Sequence, residues 1–121
     1  MKINNKLIAY SNYSTTEQVV GIWIDNRPIY RKIVNFGNLP DNTTKVLNHN
    51  ISNVDYFTKV EATGYGGTNN SYPIPFVPNS NMFSGGSSTI RANRTQIQIS
   101  TSYDFSSHTA YVILEYVKTT D

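Results

Sequence analysis

Cysteine is absent from this chain of 121 residues, so neither disulfides nor thiolate metal sites are available to it. That absence fits, without requiring, synthesis in a reducing compartment. Charge is scarce as well, at 15% of residues, and nearly balanced at a net +2. No run of lysine or arginine makes a nucleic-acid stripe; Arg91 and Arg94 are the closest pair outside the first hairpin. No apolar run exceeds a handful of residues, which excludes a membrane-spanning helix. In "MKINNKLIAY" only Leu7, Ile8 and Ala9 form an apolar block, too short for the core of a secretory signal. Histidine is limited to His49 and His108, far apart and without a carboxylate at ligand spacing, so no metal site or other cofactor site is expected.

What fills the chain instead is Asn, Ser and Thr, which number 15, 12 and 13. These residues compete with helical hydrogen bonds through their own side chains. Thr, Tyr, Ile and Val suit a pleated, half-buried surface. The composition therefore describes a β-rich chain with long polar turns, of a length that suits one domain over 1–121 with a single core.

The pattern along the chain supports this. A short strand is expected in "NKLIAY" (5–10) within a lead-in over 1–18, followed by a hairpin over 19–34. In that hairpin "VVGIWI" alternates two faces, "DNRP" supplies turn chemistry with Asp25 and Asn26 tolerant of positive φ, and Pro28 opens the return strand. In the return strand Arg31 and Lys32 fall on opposite faces, so the basic triplet is not one patch. Trp23 reads as a packing residue.

Further strands are expected near "TKVLN", over "VDYFTKVEAT" and over Thr95 to Thr101. "GYGGTNNS" reads as an exposed loop with nothing to pack, and "SYDFSSH" as a hairpin connection. Prolines 73, 75 and 78 confine "YPIPFVP" to a sheet edge or an extended segment. The last strand, 109–118, sets Ala110, Val112, Leu114 and Tyr116 against Tyr111, Ile113, Glu115 and Val117. Apolar residues on both faces indicate a central strand or one covered by a neighbouring subunit. Seven or eight short strands make an antiparallel β-sandwich the expected fold, with a small barrel as its relative.

Chemistry is harder to find. The chain has no Gly-x-Ser-x-Gly elbow, and "GYGGTNNSY" lacks the lysine and helix of a phosphate loop. Asp25, Asp41 and Asp104 sit where turns call for Asp, so a carboxylate pair for glycoside hydrolysis finds little support. Five Asn-x-Ser/Thr triplets, at Asn12, Asn42, Asn50, Asn69 and Asn93, are close to the number so polar a composition yields by chance. Polar loops bearing aromatics remain: Tyr65, Asn69, Asn70 and Tyr72, then Phe83 and Tyr103. Aromatic faces stack on sugar C–H surfaces while Asn and Ser bond hydroxyls. These six residues are the candidate ligand-binding set, with no catalytic residue among them.

"YSTTEQVVGIWIDNRPIYRKIV", "LPDNTTKVLNHNISNVDYFTKVEA", "YPIPFV" and the closing "TAYVILEYVKTTD" together resemble a C-terminal tip domain of bacteriophage or prophage tail fibre and minor tail proteins. The resemblance runs from about Tyr10 to Asp121. Asn26 stands where that family usually has Gly, "NHN" at 48–50 stands where it more often has His-Gly, and 64–89 match poorly. The resemblance implies a homotrimeric β-sandwich at a fibre end. It would be made in the host cytoplasm without a signal peptide and carried on the virion, and would be joined to the rest of the fibre. It would be non-enzymatic, touching a bacterial surface glycan and neither nucleic acid nor the membrane interior. The rival readings are a purely structural trimerisation cap and, below it, a glycan-degrading enzyme.

Overall fold

The opening hairpin closes as its residues dictate. In the computed structural model, which describes residues 2–3, 6–7, 12–77 and 86–121, β3 (Gln18–Ile22) pairs antiparallel with β4 (Pro28–Asn38). The Asn26 N–H donates to the Trp23 carbonyl at 2.9 Å, and the Trp23 N–H to the Arg27 carbonyl at 2.8 Å. A loop of this kind needs left-handed backbone at its last position. Asn26 supplies it with φ of 72°, whereas Asp25 is not among the residues of positive φ. Pro28 starts the return strand, where its missing N–H costs no ladder bond.

The remaining strands are β5 (Thr44–Asn48), β6 (Val54–Gly66), β7 (Asn70–Ile74), β8 (Ser88–Ala92), β9 (Gln96–Thr101) and β10 (Thr109–Lys118). Before them, β1 (Lys2–Ile3) and β2 (Lys6–Leu7) form a short antiparallel pair; the rest of the expected 5–10 strand lies outside the described residues. Two antiparallel sheets result, one ordered β3-β4-β10-β6-β7 and one ordered β5-β9-β8. The described residues contain no helix, and so none long and apolar enough to cross a membrane. The fold is all-β and sandwich-like.

β10 occupies the centre of the large sheet. Its registers with β4 and β6 build three inward rows: Val112 with Val34 and Ala62, Leu114 with Lys32 and Val60, Tyr116 with Tyr30 and Phe57. These meet Ile97 and Ile99 of the small sheet in one apolar core. Lys32 enters this row yet keeps its charge satisfied by donating to the His49 carbonyl at 2.9 Å.

Four expectations need correction. First, alternation along β6 breaks at Thr58, where a bulge leaves that residue unpaired and switches faces. Phe57 therefore joins Val60 on the inner side, whereas strict alternation over "VDYFTKVEAT" would set Val54, Tyr56, Thr58 and Val60 opposite Asp55, Phe57, Lys59 and Glu61. Second, β8 is a strand beyond those expected, because "STIRA" has too little apolar alternation to stand out. Third, "SYDFSSH" joins the small sheet to the large one and is not a hairpin connection: β9 and β10 do not pair.

Fourth, "GYGGTNNS" is largely strand. Gly64 pairs with Tyr72 and Gly66 with Asn70, leaving only 67–69 as the turn. Its glycines do pack: a Cβ on Gly64 would lie 2.5 Å from the Tyr72 ring, and one on Gly66 would run into His108. Both side chains lie flat across backbone that must be bare.

A strap over 12–17 runs along the part of the β4 edge that β3 leaves uncovered. The Ile33 N–H donates to the Ser14 carbonyl, and Arg31, itself buried, stacks on Tyr13 at 4.1 Å and donates to the Asn12 carbonyl. Glu17 then accepts from the Tyr116 hydroxyl at 2.6 Å and from the Lys118 ammonium.

Candidate functional site

β7 covers β6 only over residues 62–66. Beside the other half of β6, and facing it, lies the tip of the β8–β9 hairpin. Between them opens a cleft of about 560 Å³. Its apolar walls are Val54, Phe57, Val60, Pro75, Ile90 and Ala92, and Asp55, Tyr56, Arg91, Asn93 and Arg94 add polar groups.

Each polar group is fixed by something specific. Asp55 accepts from Arg27 at 2.9 Å and from Arg94 at 3.1 Å. Arg27 also holds Asp25 at 2.7 Å and the Lys118 carbonyl at 3.1 Å. The Arg27 backbone N–H and then its guanidinium hold the Asp25 carboxyl below its usual range, and both carboxylates keep Arg27 more firmly protonated. Tyr56, 44% exposed, accepts the indole N–H of Trp23 at 2.8 Å and lies 5.5 Å beneath the Arg27 guanidinium. The Asn93 side chain caps its own turn through the N–H groups of Thr95 and Gln96. Its carbonyl accepts from Nε2 of buried His49, whose Nδ1 accepts the Ile51 N–H. Both nitrogens of His49 are thus consumed in holding two loops together.

The residues singled out from sequence lie elsewhere. Tyr65, half-exposed, donates to Asn69 at 3.0 Å, so these two are brought together, and Asn70 begins β7 beside them. Tyr72 is corrected: at 4% exposure its ring belongs to the core, packed between Phe76, Phe105 and His108, because it must lie across Gly64. No face of it is open to a ligand. Tyr103 is exposed but packs edge-on to Phe105, on the inner side of the sheet from which Tyr65 points outward. Phe83 lies outside the described residues.

Sequence reasoning passed over Tyr56, read as one residue of an alternating strand, and exposed Tyr111, diagonal to Tyr65 across the β6–β10 ladder. For Tyr56 the available signal was the Asp-Tyr pair opposite "ANR", legible only once β6 and the β8–β9 turn are known to face each other.

Tyr72 and His108 set a pH window. Their hydroxyl and Nδ1 share a 2.7 Å hydrogen bond. Burial lowers the His108 pKa and raises that of Tyr72 to about 12. A depressed histidine favours the fold above its ordinary value near 6.5, and that contribution is lost as pH falls through the folded value. A raised phenol favours the fold below 10, and that contribution is lost as pH climbs from 10 to about 12. Tyr30, whose hydroxyl donates to Asp121, is also raised to about 12 and acts in the same sense. Melting temperature should be flat from about pH 6.5 to 10 and fall on either side. A His108→Asn variant should lose part of the acid limb; an unchanged acid limb would refute the assignment.

Among the described residues no three of His, Cys, Asp and Glu cluster to hold a metal. Comparison with known protein families, curated proteins and solved structures finds no match to this chain. Function therefore rests on the residues themselves and on the sequence resemblance.

Proposed function

We propose that this chain is a non-enzymatic receptor-binding module at the tip of a bacteriophage tail fibre. It recognises a carbohydrate of the host cell surface and assembles as a homotrimer. The observation that carries the binding role is Tyr56, whose ring is held by Trp23 and Arg27 and which lines a cleft whose polar groups are already in place. A ring and a polar rim ordered before the ligand arrives reduce the entropic cost of binding. An aromatic face beside Asp, Asn and Arg side chains offers a sugar both C–H stacking and hydroxyl partners. The acid that lines the cleft, Asp55, has each carboxylate oxygen paired to an arginine, so neither oxygen is directed at a ligand. Weak single sites suffice on a fibre, because linked sites raise avidity by about 10²–10⁴.

A structural cap is the second reading. It is favoured by Ile22 and Ile24, which stand in water at the hairpin tip and suit burial against another copy or the rest of the fibre.

The test is calorimetric titration with purified wall or capsular polysaccharide, on particles whose mass is first determined by light scattering. Tyr56→Ala should lower affinity about tenfold while the cooperative unfolding transition is retained. If no host surface polysaccharide binds, the cap reading replaces this one. If Tyr65→Ala or Tyr103→Ala abolishes binding and Tyr56→Ala does not, the site moves to the opposite end. A monomer in solution would remove the homotrimer.

A further inference from the structure

The outer face of the small sheet continues from the cleft. Cross-strand register lines up Thr44, Ser100 and Thr89 in one row and Val46, Gln98 and Arg91 in the next. These rows border a second, shallow groove of about 400 Å³, lined by hydroxyl and amide side chains. Arg91 lines both concavities.

Arg91 is also the unbalanced charge at this rim. Its Nε donates to the neutral Gln98 side chain at 2.7 Å, and no carboxylate lies within salt-bridge distance of it among the described residues. Arg94 is anchored likewise through Nε, to the Asp55 carbonyl, with one terminal nitrogen on the Asp55 carboxylate. Each guanidinium is thus held by its stem side, which leaves terminal N–H groups for a planar anion.

From this juxtaposition we infer that the ligand is an acidic polysaccharide, a chain of carboxylate-bearing sugars that runs from the cleft across Arg91 onto the polar groove. The inference rests on the carbohydrate reading above and narrows it. A carboxylate attached directly to a pyranose ring allows the ring to lie on the apolar walls while its anion reaches the rim. A phosphate carried on a linker between rings does not couple the two contacts. Thr89, Ser100 and Gln98 then serve the hydroxyls of the next sugars.

The experiment is an NMR titration of the ¹⁵N-labelled protein with three probes: oligogalacturonate, a neutral malto-oligosaccharide of equal length, and a glycerol-phosphate oligomer. Oligogalacturonate should bind at least about tenfold more tightly than the neutral chain and should shift amides of both the cleft and the groove. Raised salt should erase the preference. Arg91→Gln, at an exposed site that leaves the core intact, should remove it at constant salt, and Ser100→Ala should weaken only longer chains. Equal binding of neutral and acidic chains, an unaffected Arg91→Gln variant, or shifts confined to the cleft would overturn the acidic track while leaving carbohydrate binding standing. A preference for the phosphate oligomer would overturn the carboxylate. Binding of none of the three here, together with no host polysaccharide binding by calorimetry, would remove both readings.

Discussion

Replacing Tyr116 by alanine should unfold this protein at ordinary temperature or leave it barely folded. The ring is fully buried, stacked on Tyr30 with centroids 5.9 Å apart and edge-on to Phe57 at 5.8 Å. Removing a large aromatic from such a site costs about 3–5 kcal/mol, set against a total of roughly 5–15 kcal/mol for a domain of this kind. The hydroxyl has a separate and smaller role, because it ties the strap to the last strand through Glu17. Tyr116→Phe should therefore cost about 1 kcal/mol, since Glu17 is partly solvated and its bond is weaker than a buried one. Urea denaturation of the two variants separates ring from hydroxyl. A Tyr116→Ala protein with an unchanged midpoint would show that the core does not depend on this row.

The second large effect comes from adding an atom. Gly66→Ala should destabilise by about 1–3 kcal/mol or more, even though alanine restricts the unfolded chain and so gains back a few tenths. The new Cβ would strike His108 at Cγ and Cβ, close to its backbone, where the side chain cannot swing away. Gly64→Ala should cost a similar amount for a different reason. There the clash is with the far end of the Tyr72 ring, which is held in place by Phe76, Phe105 and the bond to His108. The two are distinguished in a Tyr72→Leu background: the cost of Gly64→Ala should shrink, while that of Gly66→Ala should persist. If Gly64→Ala is silent in the native background, the ring is not confined as described.

These two effects show where local pattern suffices and where it does not. The polar, β-branched composition and the period-two alternation of "TAYVILEYV" point to an all-β chain whose last strand is apolar on both faces, and "DNRP" points to the opening turn. In the structure one face of that strand is buried while Tyr111 on the other is exposed. Alternation is a local property, so it carries these elements faithfully. It fails at Thr58, because a bulge adds one residue without any mark in composition and turns Phe57 inward. It fails at Gly64 and Gly66 as well, where glycine that reads as loop is strand made bare for a ring arriving from another strand.

The candidate site belongs wholly to the second kind. Trp23 and Arg27 come from the first hairpin, Asp55 and Tyr56 from the half of β6 that β7 does not cover, and Arg91 and Arg94 from β8 and its turn. No spacing joins them: strand pairing within the large sheet brings the first hairpin to β6, and the stacking of the small sheet adds Arg91 and Arg94. The all-β class, the turn at Asn26 and the two apolar faces of β10 were legible in the chain, because strand faces and turn residues are set by neighbours in it; the central place of β10 came from the pairing of distant strands. Only the packing of distant segments makes Tyr72 core, sets Tyr56 at a cleft and leaves Arg91 with no carboxylate in reach among the described residues, because burial and charge balance depend on what arrives from far along the chain.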